Sequence, residues 1–173
     1  MVQEGIEVCR DYHIQMPMQS AFIGWKQEPD DYLEHILGHD RLEKLNPIKT
    51  FRDNNIVVSF GSDAPCTTPD PIAWMDRAVN NDNAGQAVSV QDALRMCTYN
   101  GAWAAFDEQE RGSLEAGKIA DMAVLSENPY TVPKDKLSGL RVERLYLGGK
   151  PYESCRESIL PMMLRGLTSR NKA

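Results

Sequence analysis

One short stretch of the chain carries the residue types that chemistry needs. Residues 60–71 read FGSDAPCTTPDP. An apolar run, Ile56 to Phe60, leads into Gly61-Ser62-Asp63, and Pro65 and Pro69 follow. A carboxylate just past a buried strand can take a proton from an attacking water and return it to a leaving group. It can also serve as an oxygen ligand for a divalent cation. In parallel α/β folds, ligands bind beyond the carboxyl ends of the strands, which is where Asp63 falls. The alternative is a turn aspartate that hydrogen-bonds its own backbone. On residue physics alone that bland reading is the commoner one, since loop acids are common.

The other candidates are weaker. His35 and His39 in HILGH stand four apart, a spacing that can bind zinc from one helix face. The acid of a His-Glu-x-x-His arrangement is absent, and Gly38 weakens the helix. Solvated histidines are expected there, and a packed or edge histidine at His13. Cys66 lies near Asp63, but no Lys or Arg within several residues would lower its pKa. Trp25, Trp74 and Trp103 are expected mainly in packing. Trp74 stands out because its helix follows the Asp63 loop.

The elements that must position these residues are legible in part. Residues 2–10 read as a helix with Val2, Ile6 and Cys9 on one face. YHIQMPMQSAFI reads as a strand entering a loop, with Pro17 counting against a central strand. Residues 30–45 have helical spacing with Gly38 as a break. Asn46 is expected to cap a helix that Pro47 opens. The 56–60 run is short and uniformly apolar, as a buried parallel strand is. Residues 71–80 read as a helix opened by Pro71. A longer helix should follow Ser89, in capping-box relation to Asp92, with a break at Asn100-Gly101. Beyond Asp107 the texture turns to strands. Met122–Leu125 is one, and RVERLYLGGKPYES is a hairpin around Gly148-Gly149. Residues 155–167 have helical spacing and the last six are polar.

Composition excludes some functions. The chain has 173 residues, 42% hydrophobic and 25% charged, which suits a domain with a real core. A net charge of −6 without a basic patch argues against nucleic acid. No run approaches the roughly 20 apolar residues that span a bilayer. Four scattered cysteines (Cys9, Cys66, Cys97, Cys155) form no C-x-x-C, which points to reduced thiols and a cytoplasmic setting.

Four stretches in order carry a family resemblance. VSFGSDAP, VSVQDALRMCTYNGAWAAF, GSLEAGKIADMAVL and VERLYLGGKPY resemble successive motifs of the amidohydrolase-3 family of metal-dependent hydrolases. MPMQSAFI resembles its preceding barrel strand, with Ser20 in place of a proline after Gln19. The resemblance covers most of residues 10–153. It implies the last strand–helix units of a (β/α)8 barrel in residues 1–107. Strands of a small composite β-domain would follow in 108–154, then a C-terminal helix and tail in 155–173. It also implies hydrolysis of an amide-type, non-peptide carbon–nitrogen bond of a small molecule. Asp63 would be the proton carrier and a metal ligand, and the divalent metal would be zinc. With the resemblance, the functional reading of Asp63 is the one to expect.

The departures shape the rest. The family's His-x-His pair and its further histidines have no counterpart among His13, His35 and His39. A full barrel takes about 250 residues. The chain therefore resembles the C-terminal portion of such an enzyme. On its own it is expected to bind metal poorly and to be inactive, because one carboxylate cannot make a three- or four-ligand site. A non-catalytic association module is the alternative. Its strand edges would be met by a further copy of the chain or by the missing N-terminal part. A third reading is a small α/β domain that binds metal through His35 and His39.

Overall fold

The computed structural model describes residues 3–23 and 32–152. Trp25, Cys155 and the helix expected over 155–167 lie outside the described residues.

Helix α1 (Gln3–Asp11) buries Ile6 and Cys9, as their spacing predicts. It turns through His13, at φ 53°, into strand β1 (Met16–Met18). Two short helices, α2 (Tyr32–Leu37) and α3 (His39–Leu42), are separated at Gly38, whose φ of 74° suits glycine. Helix α4 (Ile48–Asp53) returns the chain to strand β2 (Val58–Phe60). The two strands run parallel, with Met16 opposite Val58 and Met18 opposite Phe60. Pro17 does no harm in this strand. The residues of β1 that face β2 are Met16 and Met18, so the missing N–H of Pro17 points away from the ladder.

Three sequence expectations move by a residue or two. Asn46 does not cap α4. It adopts φ 48°, and its carbonyl accepts from the Ile48 N–H at 2.7 Å, so Pro47 takes the cap position. The proline ring pushes the residue before it out of the right-handed helical region. The 56–60 strand shortens because the Ile56 N–H bonds back to Phe51 at the end of α4. The break in the long helix falls at Thr98, not at Asn100-Gly101, giving α6 (Val90–Cys97) and α7 (Tyr99–Ala104). The Thr98 hydroxyl donates to the Leu94 carbonyl at 2.8 Å, while its N–H goes to Arg95. That side chain competes with the helical ladder.

The remaining helix signals hold. Helix α5 (Pro71–Val79) has Pro71 in its first turn, and Asp70 accepts from the Ile72 N–H. Ser89 accepts from the Asp92 N–H and donates to its carboxylate, a reciprocal cap. Arg52 of α4 then pairs with Asp92 at 2.7 Å, tying the two helices.

After residue 107 the chain builds an antiparallel sheet of β3 (Met122–Leu125), β4 (Val142–Leu147) and β5 (Lys150–Pro151), in that order. Gly148 and Gly149 both take positive φ, 56° and 75°, as a two-residue hairpin turn requires. The GSLEAGKIAD stretch anchors this sheet. A Cβ on Gly112 would come within 2.6 Å of the Ala102 methyl, so only glycine lets this loop approach α7. Lys118 donates to Ser113 at 2.6 Å, and Asp121 accepts from the Gly148 N–H at 2.8 Å. Lys118 and Asp121 thus serve the turn and the strand entry.

One apolar core runs through both parts. Ile48, Phe51, Val58, Met75, Ala78, Ala93 and Met96 are joined in it by Leu137 and Leu140 from beyond residue 107.

Candidate functional site

The loop that holds Asp63 leaves the carboxyl end of β2. Gly61 donates to the Met18 carbonyl at 3.0 Å, extending the parallel ladder one residue beyond Phe60. The chain then turns sharply. Asp63 has φ 54°, a conformation aspartate tolerates better than most residues. Its backbone carbonyl accepts from Cys66 at 2.9 Å. The Ser62 hydroxyl accepts from the Ala64 N–H, and the Thr67 hydroxyl donates to the Ser62 carbonyl. The loop is therefore held by backbone groups and by Ser62 and Thr67. The Asp63 carboxylate is exposed and has no hydrogen-bond partner among the described residues. It does not form the self-bonded turn that was the alternative.

A second set of bonds braces the loop from below. Ser20, only 1% exposed, donates its hydroxyl to the Trp74 carbonyl at 3.0 Å. The Trp74 indole N–H donates to the Thr68 carbonyl at 3.2 Å. The carboxyl end of β1, helix α5 and the Asp63 loop are thus linked in series. The place of Trp74 after the loop was visible in the sequence, but its bond to Thr68 was not. Nor was the role of Ser20, because nothing in its neighbours indicates a buried hydroxyl.

The other candidates do not join Asp63. His35 and His39 are exposed on α2 and α3. His39 lies between Glu34 at 3.3 Å and Glu43 at 3.5 Å. Cys66 is an exposed free thiol. Cys97 is a different case: burial pushes its thiol from 9.0 up to about 12, and the thiol donates to the Pro71 carbonyl. Among the described residues, no three His, Cys, Asp or Glu side chains converge on a point that could hold a metal ion. The donors among the described residues do not fit a metal site by themselves.

A concavity also lies at the amino end of β2. A cleft of about 370 Å³ is lined by Asn55 to Val58, Arg52, Arg95, Tyr99, Asn100 and Trp103. Arg95 stacks on the Tyr99 ring at 4.2 Å. The sequence did not reveal this cleft, since its residues come from two stretches far apart in the chain.

Comparison with known proteins gives the architecture its context. The N-substituted formamide deformylase of Arthrobacter pascens is 33% identical over 156 residues, covering 86% of this chain and 27% of the deformylase. Two solved structures share the fold. An uncharacterized metal-dependent hydrolase from Pyrococcus furiosus superposes with a TM-score of 0.65 at 24% identity, over 76% of this chain and 27% of that one. An adenosine deaminase from Xanthomonas campestris with bound zinc superposes with a TM-score of 0.63 at 18% identity, over 99% and 40%. The strand–helix units therefore have the fold of part of an α/β barrel of this kind. The chain spans about a quarter of the length of the relative it matches. The sequence model of the amidohydrolase family matches residues 7–152, most of the chain, and the chain belongs to that family.

Proposed function

We propose that this chain supplies the C-terminal strand–helix units and the proton-carrying carboxylate of a hydrolase acting on an amide-type, non-peptide carbon–nitrogen bond. The observation that carries this reading is the Asp63 carboxylate, free of its own loop at the carboxyl end of a parallel strand. Family membership supports hydrolysis of a carbon–nitrogen bond. The likeness to a formamide deformylase supports a small N-acylated substrate.

The chemistry available to the chain's own residues is proton transfer. An ionised carboxylate can accept a proton from water as the water attacks a carbonyl carbon. It can return that proton to the nitrogen as the bond to carbon breaks. The Ser62, Thr67 and Trp74 bonds keep the loop in place during both transfers. A divalent metal, zinc by family likeness, would take its ligands largely from outside this chain, with Asp63 as one of them. Residues 1–107 would then supply barrel units, 108–154 the composite β-domain and 155–173 a helix and tail, in a cytoplasmic enzyme.

Two measurements test this reading. The purified chain should hold much less than one equivalent of zinc and should not turn over N-formyl amines. In an enzyme carrying this segment, Asp63→Asn should lower kcat by about a hundredfold or more and change KM little. Retained kcat would remove Asp63 from the reaction.

A second reading, a non-catalytic association module, draws on the small sheet. Val124, Val142, Leu147 and Tyr152 are all between 42% and 50% exposed there. A missing N-terminal part, or a further copy of the chain, would cover them. Light scattering after gel filtration distinguishes the readings: a monomer at all concentrations counts against association.

A further inference from the structure

Strand parity sets the direction of a side chain that the proton transfer leaves unused. Met16 and Met18 of β1 pack against the core. Ser20, 1% exposed, donates its hydroxyl to the Trp74 carbonyl of α5. Successive side chains of a strand point to opposite faces. Pro17 and Gln19 therefore point to the face away from the helices, and both are exposed. Ser20 is back on the helix side, so the alternation runs through Gln19. This direction is set within β1 itself and does not depend on what lies at either edge of the sheet. In a (β/α)8 barrel that face lines the interior, and its carboxyl end lines the mouth where reacting groups gather.

Register places Gln19 beside the Asp63 loop. Met18 lies opposite Phe60, and the Gly61 N–H donates to the Met18 carbonyl. Gln19 thus stands next to Gly61, about 4.8 Å away across the ladder, and Asp63 follows two residues on. The Gln19 carboxamide does not cap the short helical turn that follows it, Ser20–Phe22. A neutral carboxamide brings an acceptor and two donors without adding charge to a site that already holds a carboxylate. It suits an uncharged polar group, and the substrate's amide nitrogen is the group that Asp63 must reach to return the proton. We propose that Gln19 is a substrate-binding residue: its carboxamide oxygen accepts from the N–H of the scissile amide, turns that nitrogen toward Asp63 and selects secondary over tertiary amides. A tertiary amide has no N–H and leaves the Gln19 oxygen unpaired. This assignment rests on Asp63 as the proton carrier.

The test is steady-state kinetics on the full-length enzyme that carries this segment, with circular dichroism to verify folding. The probes are N-butylformamide and N-butyl-N-methylformamide. The wild type should prefer the secondary amide by about tenfold or more in kcat/KM. Gln19→Leu, similar in size but without an acceptor, should lose about tenfold on the secondary amide, mainly through KM, and most of the preference with it. Gln19→Glu keeps an acceptor at the same length and should keep the preference. A side chain that only supports the fold would affect both probes alike. A Gln19→Leu enzyme that retains the preference, a Gln19→Glu enzyme that loses it, or a wild type without one overturns the assignment. In each case a hundredfold loss of kcat in Asp63→Asn leaves the proton-carrier reading standing. Retained kcat in Asp63→Asn, or an enzyme inert toward both probes, overturns the two together.

Discussion

Leu137 offers the sharpest test of whether the small sheet and the strand–helix units form one cooperative structure. Its side chain is fully buried, at 0% exposure, in the same cluster as Ile72, Met75 and Val79 of α5. Leu137→Ala removes three carbons. At about 0.8 kcal/mol per buried methylene the transfer cost is about 2.4 kcal/mol. The cavity left behind raises it to about 3–5 kcal/mol where the surroundings cannot collapse. Here Leu137 lies in a two-turn 3-10 helix, Lys134–Gly139, between Pro133 and Leu140, which limits collapse. With a urea m-value of about 2–3 kcal/mol/M for a chain of this size, the midpoint should fall by about 1–2 M. Far-UV circular dichroism and tryptophan fluorescence should report the same lowered midpoint, because Trp74 and Trp103 lie before residue 107 and Leu137 after it. A fluorescence midpoint that stays in place while a separate, smaller circular dichroism transition moves would refute the single core. So would a loss below about 1 kcal/mol.

Three further outcomes are expected. Trp74→Phe keeps the ring but loses the bond to the Thr68 carbonyl. It should cost less than about 1 kcal/mol globally yet speed amide exchange at Ala64 and Cys66, and unchanged exchange there would show that the indole does not brace the loop. Raising the Cys97 thiol from 9.0 to about 12 leaves about a thousandfold less thiolate. Iodoacetamide at neutral pH should therefore label the exposed Cys66 well before Cys97, and peptide mass spectrometry that found equal labelling would contradict the burial argument. The Lys49 hydrogen bond, aided by the Arg52 charge and opposed by partial burial, holds the Asp53 carboxyl below its ordinary 3.8. A lowered folded value means stability that is present above pH 3.8 and lost as the pH falls through the folded value. Asp53→Asn should thus cost under about 1 kcal/mol at pH 7, since the pair is exposed, and less at pH near 2. An equal cost at both pH values would rule out the charge as its source.

The local features and the family were legible in the residues alone. Pro71 and Asp70 open α5, Ser89 and Asp92 cap α6, and Gly148-Gly149 turns the hairpin, because each of these depends on groups within a few residues. The apolar run before Gly61 marked the buried strand, and the acid beyond it marked the candidate site. Other features emerge only in the folded chain, because they depend on groups far apart in it. Ser20 meets Trp74 across 54 positions, and Asn100 meets Val58 across 42. No periodicity records such meetings, since a hydroxyl or an amide is spelled the same whether it faces water or a distant carbonyl. The free state of the Asp63 carboxylate is of the same kind. A turn aspartate that bonds its own loop and one that does not share their neighbours in sequence, and they differ in which groups the folded loop uses to hold itself together.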